Sequence, residues 1–126
     1  MAAGMKPEER RQAPRVEERV WLALRGEATE FRAETKNLST IGAYCVMDQF
    51  LAPMTKLQLE FELPDGARRV RIRGEGAVVR VEPVVDSVER GRYHVGIYFT
   101  QMSDEHRAAI SRFVRQRLAA RSSPPA

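Results

Sequence analysis

Residues 56–84 read KLQLEFELPDGARRVRIRGEGAVVRVEPV. Over 56–63 the alternation is unbroken, with Leu57, Leu59, Phe61 and Leu63 on one side and Lys56, Gln58, Glu60 and Glu62 on the other. Successive strand side chains point to opposite faces, so this pattern is a strand with one wet face and one face on a core. The turn chemistry of Pro64-Asp65-Gly66 follows at once, and alternation resumes over 69–84. Gly74 and Gly76 interrupt that second run, where they mark a bulge or the sharp bend that a barrel corner needs.

The same period extends outward from this hairpin. In RYHVGIYF (92–99), Tyr93, Val95, Ile97 and Phe99 share a face, and 19–26, 30–39 and 42–47 supply three shorter strands. At Ser103 the period changes. SDEHRAAISRFVRQRLAAR (103–121) opens on an N-cap serine with acids in the first turn, and Ile110, Phe113, Val114 and Leu118 recur at helical spacing. The late arginines suit the helix dipole. Six strands and then one helix predict an all-β fold with one helix, a six-stranded antiparallel β-barrel closed by a C-terminal α-helix. The plan is a tail at 1–8, a single domain over 9–121 (leader 9–18, barrel 19–100, helix 103–121) and a second tail at 122–126.

At 126 residues the chain holds one core. With 43% apolar and 30% charged residues it is an ordinary globular composition, and the net charge of +4 is compatible with an anionic ligand without demanding one. Cys45 is the single cysteine, which excludes an intrachain disulfide framework; in GAYCVM it reads as a buried, inert thiol. No stretch approaches the ~18–20 apolar residues of a membrane span, and the N-terminus lacks a secretory apolar region, so the expected location is cytoplasmic. His94 and His106 sit in no metal or nucleophile motif, and no nucleophile elbow, phosphate loop or zinc-protease signature occurs. Neither a catalytic nor a metal site is expected, and the chain is not read as an enzyme.

Two features remain. Arg10, Arg11 and Arg15 crowd a leader with little to bury, where Pro14 pushes Ala13 toward an extended conformation. NLSTIG (37–42) combines the short polar side chains of Asn37 and Ser39 with Gly42, which permits a tight turn or the close approach of another backbone. Arginine offers paired donors to phosphate or to guanine O6 and N7 and stacks on a base, while Asn37 and Ser39 supply acceptors for guanine N1–H and N2.

This ordered pair resembles the PilZ domain family, bacterial receptors for cyclic di-GMP, whose pattern is R-x-x-x-R on a leader followed by [D/N]-x-S-x-x-G. RQAPR and NLSTIG match both, and YHVGIYF resembles the family's terminal strand. The resemblance implies that Arg11 and Arg15 bind guanine edges and phosphates, and that Asn37 and Ser39 meet a guanine from its other edge. It implies too that Gly42 lets the ligand lie close to the backbone, with Gly96 a side-chain-free spot nearby. Asn37 stands where aspartate is common, and an amide accepts more weakly than a carboxylate. Arg10, directly before the motif, resembles members that take two intercalated ligand molecules per site.

The implied mechanism is a switch: the ligand clamps the arginine leader on the barrel and creates a surface for a protein effector, without membrane insertion. Two alternatives stand beside it. One is a PilZ-like protein-interaction module that does not bind nucleotide. The other is a small basic barrel for RNA or single-stranded DNA, against which the inward alternation of most aromatics argues; Trp21, Tyr44 and Tyr98 are the exceptions.

Overall fold

The computed structural model describes residues 14–85 and 91–122. The expectations for the tail at 1–8, and for Arg10 and Arg11, fall outside them, as does the tail expected at 122–126 except for Ser122, which ends the helix. Six strands, β1 (Trp21–Arg25), β2 (Glu30–Leu38), β3 (Gly42–Met47), β4 (Lys56–Asp65), β5 (Arg68–Pro83) and β6 (Tyr93–Met102), precede one helix, α1 (Asp104–Ser122). They form a closed antiparallel barrel in the order β1-β2-β3-β6-β5-β4. Closure removes the unpaired sheet edges that an open sheet of this size would expose.

The period-2 residues fill the barrel. Leu57, Leu59, Phe61 and Leu63 of β4 are all buried, as are Val95, Ile97 and Phe99 of β6. The Phe61 and Phe99 rings stack with centroids 6.4 Å apart. Ala109, Ile110, Phe113 and Val114 of α1 join this core, and Leu118 packs partly against it. Ser103 caps the helix, its Oγ accepting from the His106 N–H at 3.1 Å. In the β4–β5 hairpin Asp65 pairs with Arg68, so the loop itself is Gly66-Ala67. Gly66 has a φ of +66°, the left-handed conformation that a two-residue hairpin loop requires and that glycine adopts without strain. The carboxylates of Glu60 and Glu62 lie on the outer face opposite arginines, with Arg73 Nε 2.7 Å from Glu60 Oε1.

The glycine-rich part of β5 does carry an irregularity: the β5–β6 register shifts between Glu75 and Gly76. A second shift occurs between Val78 and Arg80, and a third, in the β2–β3 pair, between Thr35 and Asn37. The last two decide which residues face the candidate site.

Among the exposed large side chains, Trp21 (56% exposed) and Tyr98 match the expected exceptions, and Tyr44 is half-buried. Phe50, in the loop between β3 and β4, is exposed as well, and its ring meets Tyr93 edge-on. Alternation could not reveal this, because Phe50 belongs to no strand.

Candidate functional site

The leader is less free than its charge suggests. Val16 is 1% exposed and belongs to the core. Its backbone pairs with Leu38 in both directions, Val16 N–H to Leu38 O at 3.0 Å and Leu38 N–H to Val16 O at 2.9 Å. Beyond it, the fully buried Thr35 holds the chain twice: its Oγ1 accepts from the Val20 N–H at 2.8 Å and donates to the Glu18 carbonyl at 2.5 Å. The end of α1 holds it from the other side. Arg117 Nε lies 3.2 Å from Glu18 Oε1, and the Arg121 guanidinium donates to the Glu17 carbonyl. The expectation of a leader that buries almost nothing does not hold from Val16 onward, because one β-branched side chain and two backbone bonds commit 16–20 to the barrel.

The Val16–Leu38 bridge has a direct consequence for the arginine motif. Arg15 directly precedes Val16 and Ser39 directly follows Leu38, so the antiparallel bridge brings the backbone of Arg15 to the end of β2 where the Ser39–Gly42 turn begins. Arg15 is exposed, and among the described residues it has no carboxylate partner.

The turn itself is tightly built. Ser39 is 2% exposed, and its Oγ accepts from the Ile41 and Gly42 N–H groups at 3.2 Å each. Its hydroxyl also lies 3.3 Å from the Gly42 carbonyl, to which the Ser39 N–H donates at 2.9 Å. This is the local side chain-to-backbone bonding that makes serine a turn residue. Arg107 of α1 donates to the Thr40 carbonyl at 2.5 Å, and the Phe99 N–H donates to the Ile41 carbonyl at 2.8 Å. At Gly42 a Cβ would collide with the Ile97 carbonyl oxygen, so this glycine serves the close approach of β3 to β6.

Two β-bulges turn polar side chains outward. Counting by twos from Ala33 and Thr35, both buried, would place Asn37 inside; the extra residue Lys36 shifts the phase, so Leu38 is buried and Asn37 faces out. Likewise Val78 is buried, Val79 is the extra residue, and Arg80 faces out while Val81 packs inward. Registers then align Asn37 with Tyr44, Tyr44 with Gly96, and Gly96 with Arg80. These four residues form one row across the outer faces of β2, β3, β6 and β5. The motif names Asn37 and the resemblance names Gly96, whereas Tyr44 and Arg80 lie outside both and become their neighbours only through register.

The electrostatics of the row is compact. Arg80 Nε lies 3.5 Å from Glu82 Oε1 on the same face. The Tyr44 hydroxyl titrates above its ordinary range, chiefly through partial burial and then through Glu82, with Arg80 opposing. The Tyr44 and His94 rings lie 5.3 Å apart, tilted by 45°. Cys45, behind Tyr44, is buried, and its thiol is pushed up to about 12 by desolvation. A surface hollow of about 1080 Å³ opens elsewhere, lined from β1, β2, β4, β5 and the end of β6, and two of its cations are already matched, Arg25 with Glu30 at 3.1 Å and Arg73 with Glu60. Among the described residues no group of His, Cys, Asp or Glu is placed to hold a metal ion, and no helix is long and apolar enough to cross a membrane.

The family model of the PilZ domain matches residues 9–116. The chain belongs to the PilZ domain family. Comparison with curated proteins gives no match. Among solved structures, this PilZ domain is similar to the Bacillus subtilis inhibitor of motility MotI, with a TM-score of 0.81 at 20% identity, covering 94% of this chain and 59% of that one. It is similar also to the PilZ domain of Escherichia coli YcgR, solved with c-di-GMP (TM-score 0.63, 14% identity, 90% and 99% covered). A third likeness is to K. pneumonia MrkH in its apo state (TM-score 0.72, 15% identity, 94% and 56% covered). The chain thus spans little more than half the length of MotI and MrkH. In PilZ terms, Arg15 of the first motif and Asn37, Ser39 and Gly42 of the second are adjacent on one side of the barrel. Gly96 lies two strands from Asn37 in the same row.

Proposed function

We propose that this PilZ domain is a receptor for cyclic di-GMP that acts by binding and carries out no chemistry of its own. The observation that carries the reading is the Val16–Leu38 bridge, because Arg15, exposed and without a carboxylate partner among the described residues, directly precedes it and the NLSTIG turn directly follows it. A guanidinium there offers charge-assisted, two-pronged hydrogen bonds to a phosphate or to guanine O6 and N7. Asn37, turned outward by the Lys36 bulge, offers an acceptor to the base. The YcgR PilZ domain, solved with c-di-GMP, supports the ligand class.

Ser39 and Gly42 take supporting roles. Their hydrogen bonds and close packing build the turn that presents Asn37, and Ser39 reaches a ligand only by giving up a turn bond. Arg10 and Arg11 add charge to the clamp, and Arg10 fits two ligand molecules per site. Since Val16–Val20 are already held, a leader that orders on binding does so up to Arg15. Its ordered form, with the end of α1 that holds Glu17 and Glu18, presents the surface for a protein effector.

Calorimetry on the full chain tests the reading with cyclic di-GMP, GMP and cyclic di-AMP. Selective binding of cyclic di-GMP at two molecules per chain is expected; one per chain overturns the stoichiometry alone, and no binding overturns the receptor. Removal of residues 1–15 abolishes binding and leaves the barrel folded, because Val16 is the first residue that the described core uses. The second reading, a PilZ-like interaction module blind to nucleotide, draws on the full engagement of Ser39 in its own turn. Arg15→Ala separates the two: it weakens nucleotide binding in the first case and only partner capture in the second.

A further inference from the structure

We infer that the open seam between β1 and β4 is a docking site for an extended, acidic segment of a partner protein, which adds a short strand at Glu62. The inference rests on the reading above only in giving this domain a protein effector, and it does not require the nucleotide. Three rungs alone close the barrel here, Ala23–Glu60, Leu24–Leu59 and Arg25–Gln58. β1 begins at Trp21 and β4 runs on to Asp65, yet neither Leu22–Phe61 nor Trp21–Glu62 follows in that register.

The phase of each strand shows what this leaves open. The N–H and C=O of one strand residue point to the same edge, and those of the next residue to the opposite edge. The Val20 carbonyl accepts from Thr35, and the Gly26 N–H donates to Thr29, so the even residues of β1 face β2 and Trp21 faces β4. On β4, Asp65 pairs with Arg68 across the two-residue loop, so the odd residues face β5 and Glu62 faces β1. The backbone groups of Trp21 and Glu62 therefore point into the seam with no rung between them. Pro64 follows on the same edge of β4, where a sheet tolerates a residue without an N–H.

A hollow of about 470 Å³ opens at this point, a size usual for binding clefts. Leu22, Phe61 and Phe113, all core residues, form its floor. Its rim carries five arginines against three glutamates. The glutamates are already engaged, Glu18 by Arg117 at 3.2 Å and Glu60 and Glu62 by arginines of β5. Arg32 is exposed above the Trp21 ring and has no carboxylate partner among the described residues. Arg19 reaches only Glu34, at 4.0 Å, with 80% of its side chain exposed.

The occupant follows from the open edge and the surplus cations together. Unpaired backbone groups match another backbone in extended form, as in strand addition. The side chains of that strand alternate, apolar ones toward the floor and acidic ones toward Arg19 and Arg32. A nucleic acid would use the arginines but not the backbone edge, and the glutamates of the rim oppose its phosphates. Residues 1–13 of this chain carry Lys6, Arg10 and Arg11 against Glu8 and Glu9, and 123–126 carry no charged side chain, so neither complements the rim.

Fluorescence anisotropy of the full chain with three labelled hexapeptides tests the site: alternating Glu-Val, alternating Lys-Val and alternating Glu-Pro. The Glu-Val peptide is expected to bind below about 1 mM. At least tenfold weaker binding is expected for Lys-Val, which has the wrong charge, and for Glu-Pro, which keeps the charge and loses N–H donors. One exposed ion pair changes affinity by about 1.4- to 5-fold. Arg19→Glu with Arg32→Glu reverses two of them, so the Glu-Val peptide is expected to lose about tenfold while the thermal midpoint is kept. The peptide also slows hydrogen exchange at the Glu62 amide. A Glu-Val peptide that does not bind, or that binds the double variant equally well, overturns the docking site. An oligothymidylate that binds as tightly and is weakened by the same double variant assigns the seam to nucleic acid and overturns it too. Cyclic di-GMP calorimetry on the same samples keeps the two readings apart: nucleotide binding without peptide binding removes the seam alone, and the reverse removes the receptor alone.

Discussion

Thr35 is the perturbation that isolates how the leader is held. Thr35→Val keeps the shape and removes the hydroxyl, leaving the Val20 N–H and the Glu18 carbonyl without the partner they have at 2.8 and 2.5 Å. A buried backbone group left unpaired costs about 1–3 kcal/mol. Val20 and Glu18 are half-buried, so water recovers part of this and the lower end applies to each, about 2 kcal/mol together. With a urea dependence of about 2 kcal/mol per molar, the unfolding midpoint falls by about 1 M. The thermal midpoint falls by about 8 °C, at roughly 4 °C per kcal/mol for a domain of this size. Thr35→Ser, which keeps the oxygen and drops a methyl, loses about 1 kcal/mol or less. Urea titration followed by circular dichroism reads both variants, and hydrogen exchange reads the Val20 amide, which is expected to exchange faster in Thr35→Val alone. A Thr35→Val midpoint within about 0.2 M of the parent would refute the assignment of Thr35 as the leader's clasp, since an error that size is below half a kcal/mol.

Gly42→Ala forces a methyl against the Ile97 carbonyl and costs about 1–3 kcal/mol in the same titration, as overpacking does. Arg107→Ala frees the Thr40 carbonyl from α1 and loosens the turn; stability drops by about 1 kcal/mol and cyclic di-GMP binding weakens a few-fold by calorimetry. Cys45 carries a pH signature. Its thiol is raised from 9.0 to about 12 in the folded chain, so the folded state holds the proton while the unfolded state releases it. The stability tied to it is intact below pH 9 and is lost as pH rises toward 12, at up to about 1.4 kcal/mol per pH unit. Cys45→Ala, compared with the parent across pH 8–11, removes that slope, and a thiol reagent leaves the native parent unmodified at pH 9.

The strands were legible because alternation is a property of neighbours. Leu57 through Leu63 announce β4 without any tertiary information, and Ile110, Phe113 and Val114 do the same for α1. The two motifs were legible as residue patterns too. Less visible was their mechanical content, since a serine 2% exposed and an exposed one are the same letter. The bulges at Lys36 and Val79 have no local signature, because a lysine and a valine are ordinary strand residues. Without them, period-2 counting turns Asn37 and Arg80 inward and the row with Tyr44 and Gly96 does not exist. Registers between distant strands come from the whole barrel closing, and Val16 shows the same effect at the leader. Its burial depends on Leu38 being there to pair with.

Trp21 begins β1 immediately after the clasped leader, exposed, with the Arg32 guanidinium 5.4 Å above its ring. It is the only tryptophan in the chain, and β2 and β3 separate it from Gly96. The protein therefore has a built-in optical probe that looks at the leader. A molecule bound beyond β2 and β3 would leave the indole emission unquenched, whereas a leader that shifts on β1 would change its wavelength. Intrinsic fluorescence can thus time the two events separately, occupancy being followed by other means and the rearrangement by color.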